Sequence, residues 1–146
     1  MQQSSISTDT SLLDIEMIHD YLSNQSYWSK GISLDTLLRA IDNSICFGLY
    51  IDRRTIGFTR VVTDKATFAY LCDVFVLAQH QGMGYGKMMI QKAMNHADLK
   101  GLRRWCLLTA DAHTMYTALR WKEIVRPERW MELHSPTAYQ SNIPAP

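Results

Sequence analysis

An excess of one charge is missing from this sequence. Fifteen Lys and Arg stand against fourteen Asp and Glu, a formal net charge of +1 over 146 residues. That balance supplies no basic stripe for DNA or RNA and no polycationic face for an acidic membrane. Long apolar runs are missing too: none approaches the ~18–20 residues that a membrane helix needs. Met1–Ser11 is polar, with neither a basic start nor an apolar stretch, and so does not read as a signal peptide. Cysteine is scarce. Cys46, Cys72 and Cys106 are odd in number and far apart, each beside an apolar neighbour such as Phe47, Leu71 or Leu107. No Cys-x-x-Cys pair occurs and no histidine sits at zinc-ligand spacing, so a disulfide scaffold or a metal site is not expected. Buried reduced thiols in a soluble, cytoplasmic domain fit this usage.

What is present is an ordinary globular composition, 47% hydrophobic and 20% charged, able to build one packed core. No internal repeat, low-complexity tract or long linker divides it. Ser4–Thr8 has the texture of a short strand. Ser11-Leu-Leu-Asp14 reads as a helix start, with Leu12, Ile15, Ile18 and Leu22 on one face. Asn24–Ile32 reads as a loop carrying two aromatics, Tyr27 and Trp28. A second helix is expected from Ser33, striped by Leu34, Leu37, Leu38 and Ile41.

From Cys46 the pattern turns to β. Cys46–Ile51 and Ile56–Val62 are expected to pair as a hairpin around Asp52–Thr55, and Thr67–Leu77 is a long strand covered on both faces. A glycine-rich bend then opens a helix with Tyr85, Met89, Ile90, Ala93 and Ala97 on its buried face. Trp105–Thr109 reads as a strand, Ala112, Met115, Tyr116 and Leu119 as a short helix, and Trp130–Leu133 as a last strand. The expectation is a single α/β domain over residues 1–134, a central mixed sheet flanked by helices in the order β-α-α-β-β-β-α-β-α-β. Residues 135–146 read as a polar tail.

Gln81-Gly-Met-Gly-Tyr-Gly-Lys87 lies directly after a strong strand and directly before a helix. Glycines permit a tight turn and remove the Cβ atoms that would block close approach. The first amides of a helix lack intrahelical acceptors and sit at the positive end of its dipole. Strand, glycine turn and helix start together suit a phosphate or pyrophosphate. The nucleoside-triphosphate loop is excluded, because Gln81 stands at its first glycine position and Met88 follows Lys87. The dinucleotide fingerprint is excluded as well, since the third glycine comes one residue early and the segment lies mid-chain after a hairpin.

Gln81-x-x-Gly84-x-Gly86 resembles the Gln/Arg-x-x-Gly-x-Gly/Ala signature of the GNAT superfamily of acyl-CoA-dependent N-acetyltransferases. The upstream Leu71-Cys-Asp-Val-Phe-Val-Leu77 and downstream Asp111-Ala-His-Thr-Met-Tyr116 are similar to its central strand and its Tyr-bearing helix. The resemblance implies that acetyl-CoA is the co-substrate, with Gln81, Gly82, Met83, Gly84, Tyr85, Gly86 and Lys87 at the pyrophosphate. Main-chain groups of Val74, Phe75, Val76 and Leu77 would pair with the pantetheine arm. It implies that Tyr116 is the acid that meets the departing thiolate, although Tyr116 also belongs to the apolar stripe of its helix.

Many relatives carry a Glu where this chain has Cys72. Neighbouring Asp73 is expected on the opposite face of the strand, with a structural or a catalytic role. Asp111 is expected as a helix N-cap, and His113 is a further candidate base. Tyr27 and Trp28 are candidates for the acceptor pocket. Relatives often read Tyr-x-x-x-Gly-Phe, whereas Tyr116-Thr-Ala-Leu-Arg120-Trp121 disfavours a left-handed helix end. The implied activity is acetyl transfer to a primary amine, of a small molecule or of a peptide or protein. A non-catalytic acyl-CoA sensor is the alternative, and a homodimer is left open.

Overall fold

The computed structural model describes residues 3–140. The strands are β1 (Ser4–Ser7), β2 (Ile45–Ile51), β3 (Arg54–Thr63), β4 (Phe68–Val76) and β5 (Arg104–Leu107). They form one sheet in chain order. β1 to β4 are antiparallel neighbours, and β5 runs parallel to β4. The helices are α1 (Ile15–Asp20), α2 (Leu34–Asp42), α3 (Tyr85–Met94) and α4 (His113–Ala118). Antiparallel strands need only short turns, and the β2–β3 hairpin closes on Asp52 and Arg53, both at positive φ (50° and 67°). That left-handed pair matches the twist of the flanking strands. The parallel step from β4 to β5 requires a crossover, and α3 supplies it.

Two cores sandwich the sheet, because each strand sends alternate side chains to opposite faces. Phe47, Leu49, Ile51, Val61, Ala69 and Leu71 pack under Met89, Ile90 and Ala93 of α3 and under Tyr116 and Leu119. On the other face Cys46, Tyr50, Phe58 and Phe75 pack against Ile18, Leu22, Leu37 and Ile41. Ser33 caps α2 as its spacing predicts, its side chain accepting from the Thr36 N–H.

Several elements differ from the sequence reading. Leu12, Leu34 and Leu38 are exposed, and Leu13 takes a core place instead. α1 continues from Tyr21 to Gln25 as one π turn, closed by the Ser26 N–H on the Tyr21 carbonyl. α3 stops at Met94. Ala97 is exposed in a separate 3₁₀ turn, and Leu99 fills the core there. Trp130–Leu133 pairs with no strand among the described residues. Of the expected tail, residues 141–146 lie outside the described residues.

Alternation also fails at one place in β4. Ala69, Leu71, Val74 and Val76 all meet the α3 face, so parity shifts between Leu71 and Val74. The β3 partners show the same thing: Phe58 faces Phe75 and Arg60 faces Cys72, with one extra residue on β4. This is a β-bulge, and Asp73 takes φ 55° within it. Asp73 therefore does not point away from its neighbour's face as expected. It turns toward Arg60, opposite Cys72.

Candidate functional site

β4 and β5 are paired only from Phe68–Arg104 to Leu71–Leu107. β4 then continues to Val76 without β5, which leaves a cleft whose wall is an unpaired strand edge. Val74–Leu77 lie along that wall and its exit. Phe75 is held from behind by Tyr21, stacked at 3.9 Å and 9°.

The glycine loop closes the end of the cleft. Gly82 and Gly84 have φ 78° and 84°, a left-handed backbone that an L side chain enters only with strain. Gly84 is the N-cap of α3 and provides no side-chain cap. The amides from Gly82 through Lys87 have no protein acceptor among the described residues. Gln81 differs from them. Its N–H donates to the Ala78 carbonyl at 3.3 Å, and its side-chain amide donates to the Val76 carbonyl at 2.8 Å. It ties loop to strand instead of presenting a free amide. Gly86 sits at ordinary φ, and an added Cβ would make only ordinary contacts, 3.9 Å from Val76 Cγ2 and 4.0 Å from Met115 Sδ. The fold alone does not demand glycine there, whereas a phosphate group lying against this turn would. Lys87 is exposed on the first turn.

Tyr116 is buried on α4, and burial, then the nearby Tyr27, pushes its phenol up to about 12. Its position is fixed by the way α4 ends. The Arg120 N–H donates to the Thr117 carbonyl and the Trp121 N–H to the Tyr116 carbonyl, each at 3.0 Å. These two bonds make a Schellman end, and Arg120 adopts φ 73° in the place usual for glycine. The left-handed turn thus forms despite the side chain, contrary to the sequence reading. Trp121 then lies edge-on to Tyr116, ring centroids 5.9 Å apart. Asp111 is exposed and is not the cap of α4; Ala112 holds that position, its N–H donating to Thr109 Oγ1. His113 is exposed on the first turn of α4.

Tyr27 and Trp28 are brought to the same region. The Tyr27 hydroxyl accepts from the Ala110 N–H at 3.1 Å, bridging the loop before α2 to the loop after β5. Trp28 meets Tyr27 edge to face at 4.9 Å, and its indole N–H donates to Asp73 Oδ1 at 3.0 Å. The other oxygen of Asp73 accepts from Arg60 Nε at 2.9 Å, and Arg60 also donates to Ser44 Oγ. With both oxygens engaged and the residue buried, Asp73 holds the aromatic wall in place. The sequence reading missed Arg60 and Trp121. A lone Arg in an apolar strand was the signal for the first, and the aromatic after Arg120 for the second. Cys46 and Cys72 flank Arg60 on neighbouring strands, and burial pushes both thiols up to about 12.

Residues 15–120 match the model of the Acetyltransferase (GNAT) family. A provisionally named acetyltransferase of Gibberella zeae is 39% identical over 128 residues, covering 73% of this chain and 71% of its own. The crystal structure of a provisionally assigned GNAT-family acetyltransferase from Xanthomonas campestris pv. campestris is 47% identical. It superposes with a TM-score of 0.92, covering 95% of this chain and 98% of that one. A Clostridium acetobutylicum structure, assigned as an acetyltransferase and solved with acetyl-CoA, shares the fold at 13% identity. Its TM-score is 0.65, covering 92% of this chain and 96% of that one. Cleft, glycine loop and these likenesses agree, and the chain belongs to the GNAT acetyltransferase family.

Proposed function

We propose that the chain is an N-acetyltransferase that moves the acetyl group of acetyl-CoA to a primary amine. The observation that carries this reading is the unpaired edge of β4 running straight into a row of free amides at the start of α3. Acetyl-CoA supplies an activated thioester. The amides of Gly82 through Lys87 hold the pyrophosphate, and the β4 edge from Val74 to Leu77 pairs with the pantetheine arm. The amine nitrogen attacks the thioester carbonyl, a C–N bond forms, the C–S bond breaks and the pair leaves on sulfur.

Tyr116 supplies an O–H to that sulfur. Because its phenol stays neutral far above neutral pH, it is always available as a donor. Transfer of its proton to a thiolate of ordinary pKa, about 8.5, is uphill, so hydrogen-bonding accounts for most of its effect. Asp73 is engaged elsewhere, so the proton lost by the attacking ammonium goes to His113 or to water. Tyr27 and Trp28 form the wall against which the acceptor packs, and the acceptor is a small-molecule amine or a peptide or protein amine. The free thiols of Cys46, Cys72 and Cys106 support a reducing, cytoplasmic setting.

The engagement of Asp73 by Trp28 and Arg60 favours a second reading, an acyl-CoA-binding module without turnover. Thiol release from acetyl-CoA in the presence of a panel of amines and peptides separates the two. The enzyme releases thiol with at least one acceptor, and Tyr116→Phe lowers that rate about ten- to a hundredfold while acetyl-CoA affinity is kept. Binding without release by any acceptor supports the module.

A further inference from the structure

α1 and α2 cover only part of their face of the sheet. They pack on Cys46, Tyr50, Phe58 and Phe75. Farther along β4 and β5 the same face carries a strip that no helix covers. Ala69, Leu71, Trp105 and Leu107 belong to the α3 core, so alternation sends Tyr70, Cys72 and Cys106 to the opposite side. Tyr70 is paired with Cys106 across the parallel strands, and none of the three joins the α1–α2 core. All three are half-buried. Aromatic groups bound the strip at both ends. At one end the indole of Trp28 is fixed by Asp73 yet 38% exposed, with Tyr27 edge-on beside it and 62% exposed. At the other, Trp130 lies 5.1 Å from the guanidinium of Arg104, which is paired with Phe68 on β4. Rings that are already held in place and still open to solvent have little freedom to lose when a ligand packs on them.

Resting on the acetyltransferase reading, we propose that this strip seats the body of the acceptor, and that the acceptor is a small arylalkylamine: one primary amine on a short alkyl arm from an aromatic ring. The strip runs into the split between the strands. Pairing of β4 with β5 ends at Leu71–Leu107, so Cys72 stands where they part and Tyr70 lies two residues, about 7 Å, before it. A ring resting on Tyr70 and Cys106 therefore places an amine, on a two- or three-carbon arm, at the mouth of the split. The walls name the ring. Tyr70 below and Trp28 at the side offer aromatic faces and edges, from which another ring gains more than an alkyl chain does. The strip is also short. Trp130 bounds it opposite Phe68, about 13 Å along β4 from Cys72, which leaves room for a ring and its arm and not for a peptide running along the sheet. Charge argues against a polyamine. The charged side chains that β3, β4 and β5 present on this part of the face are Arg60, Asp73 and Arg104. Asp73 neutralises Arg60, so one net positive charge remains and a second ammonium is repelled.

Thiol release from acetyl-CoA with phenylethylamine, butylamine, spermidine and a lysine peptide tests this, beside calorimetry of phenylethylamine onto the CoA-saturated protein. The kcat/KM for phenylethylamine is expected to exceed that of the other three at least about tenfold. Trp28→Leu and Tyr70→Leu, on separate walls, each raise its KM about five- to tenfold and leave that of butylamine within about twofold. Acetyl-CoA affinity kept in both variants shows that they are folded. Butylamine, spermidine or the peptide used as well as phenylethylamine overturns this inference and leaves the transferase reading standing, and so do variants that raise every KM alike. Binding of phenylethylamine with no thiol released from any amine keeps the strip as an arylalkylamine site and overturns the transferase reading. Neither binding nor release overturns both.

Discussion

The ion pair between Arg60 and Asp73 offers a quantitative test of how the cleft wall is held. Arg60 Nε lies 2.9 Å from Asp73 Oδ2, with side chains only 17% and 5% exposed. Removing one partner of so buried a pair leaves the other charge without compensation, which costs about 3–5 kcal/mol. Asp73→Asn is the right variant on that side, because Asn tolerates the left-handed φ that the bulge requires. It keeps an acceptor for Trp28 and removes the counter-charge of Arg60. Arg60→Met removes the guanidinium and keeps the apolar stem. Each single variant is expected to lose about 3 kcal/mol in urea unfolding, a large share of the roughly 5–15 kcal/mol of a typical domain. The double variant leaves no charge uncompensated, so it is expected to lose less than the singles together, with a coupling of about 2–3 kcal/mol. Additive losses, with coupling below about 0.5 kcal/mol, would refute the view that the two side chains act as one unit.

Arg120 occupies a left-handed position at the end of α4, where an L residue is strained by about 1–2 kcal/mol. Arg120→Gly removes the strain and adds unfolded-chain entropy, for a net gain of about 0.5–1 kcal/mol, or about 1–4 °C in melting temperature; a lower melting temperature contradicts the Schellman geometry. Tyr116 gives a pH prediction. Its folded-state pKa is raised above the ordinary 10, to about 12, so the neutral phenol is retained through pH 10 and its contribution is lost only as pH rises through about 12. The pH profile of kcat/KM should therefore show no descending limb near 10 that Tyr116→Phe abolishes; such a limb would mean that the phenol titrates as an exposed one does.

Local pattern revealed much of the fold. Ser33 before an apolar stripe marked α2, the β-formers on either side of Asp52–Thr55 marked the hairpin, and Gln81–Lys87 marked the loop and the helix it opens. What stayed hidden depends on pairing. The bulge at Asp73 exists only because β3 and β4 differ by one residue across it, and no property of β4 alone reveals that. Its consequence, a carboxylate facing Arg60 and holding Trp28, was hidden with it. Arg120 shows that tertiary contact can override a local preference: two backbone bonds and the packing of Trp121 on Tyr116 hold a turn that the residue itself disfavours. Trp130–Leu133 has strand-like composition, but composition alone does not make a strand, and among the described residues this segment pairs with no sheet edge.

The central claim is that the split between β4 and β5, closed by the glycine loop, is the acyl-CoA site. Calorimetric titration of acetyl-CoA onto the wild type and onto Gly86→Ala tests it most directly. Gly86 has ordinary φ and room for a Cβ, so the variant should fold with little change in unfolding free energy. The wild type should bind, and the variant should bind about ten- to a hundredfold more weakly, through loss of close amide contacts to phosphate worth about 1.5–3 kcal/mol. A wild type that takes up no acetyl-CoA, or a folded variant that binds it equally well, would contradict the account.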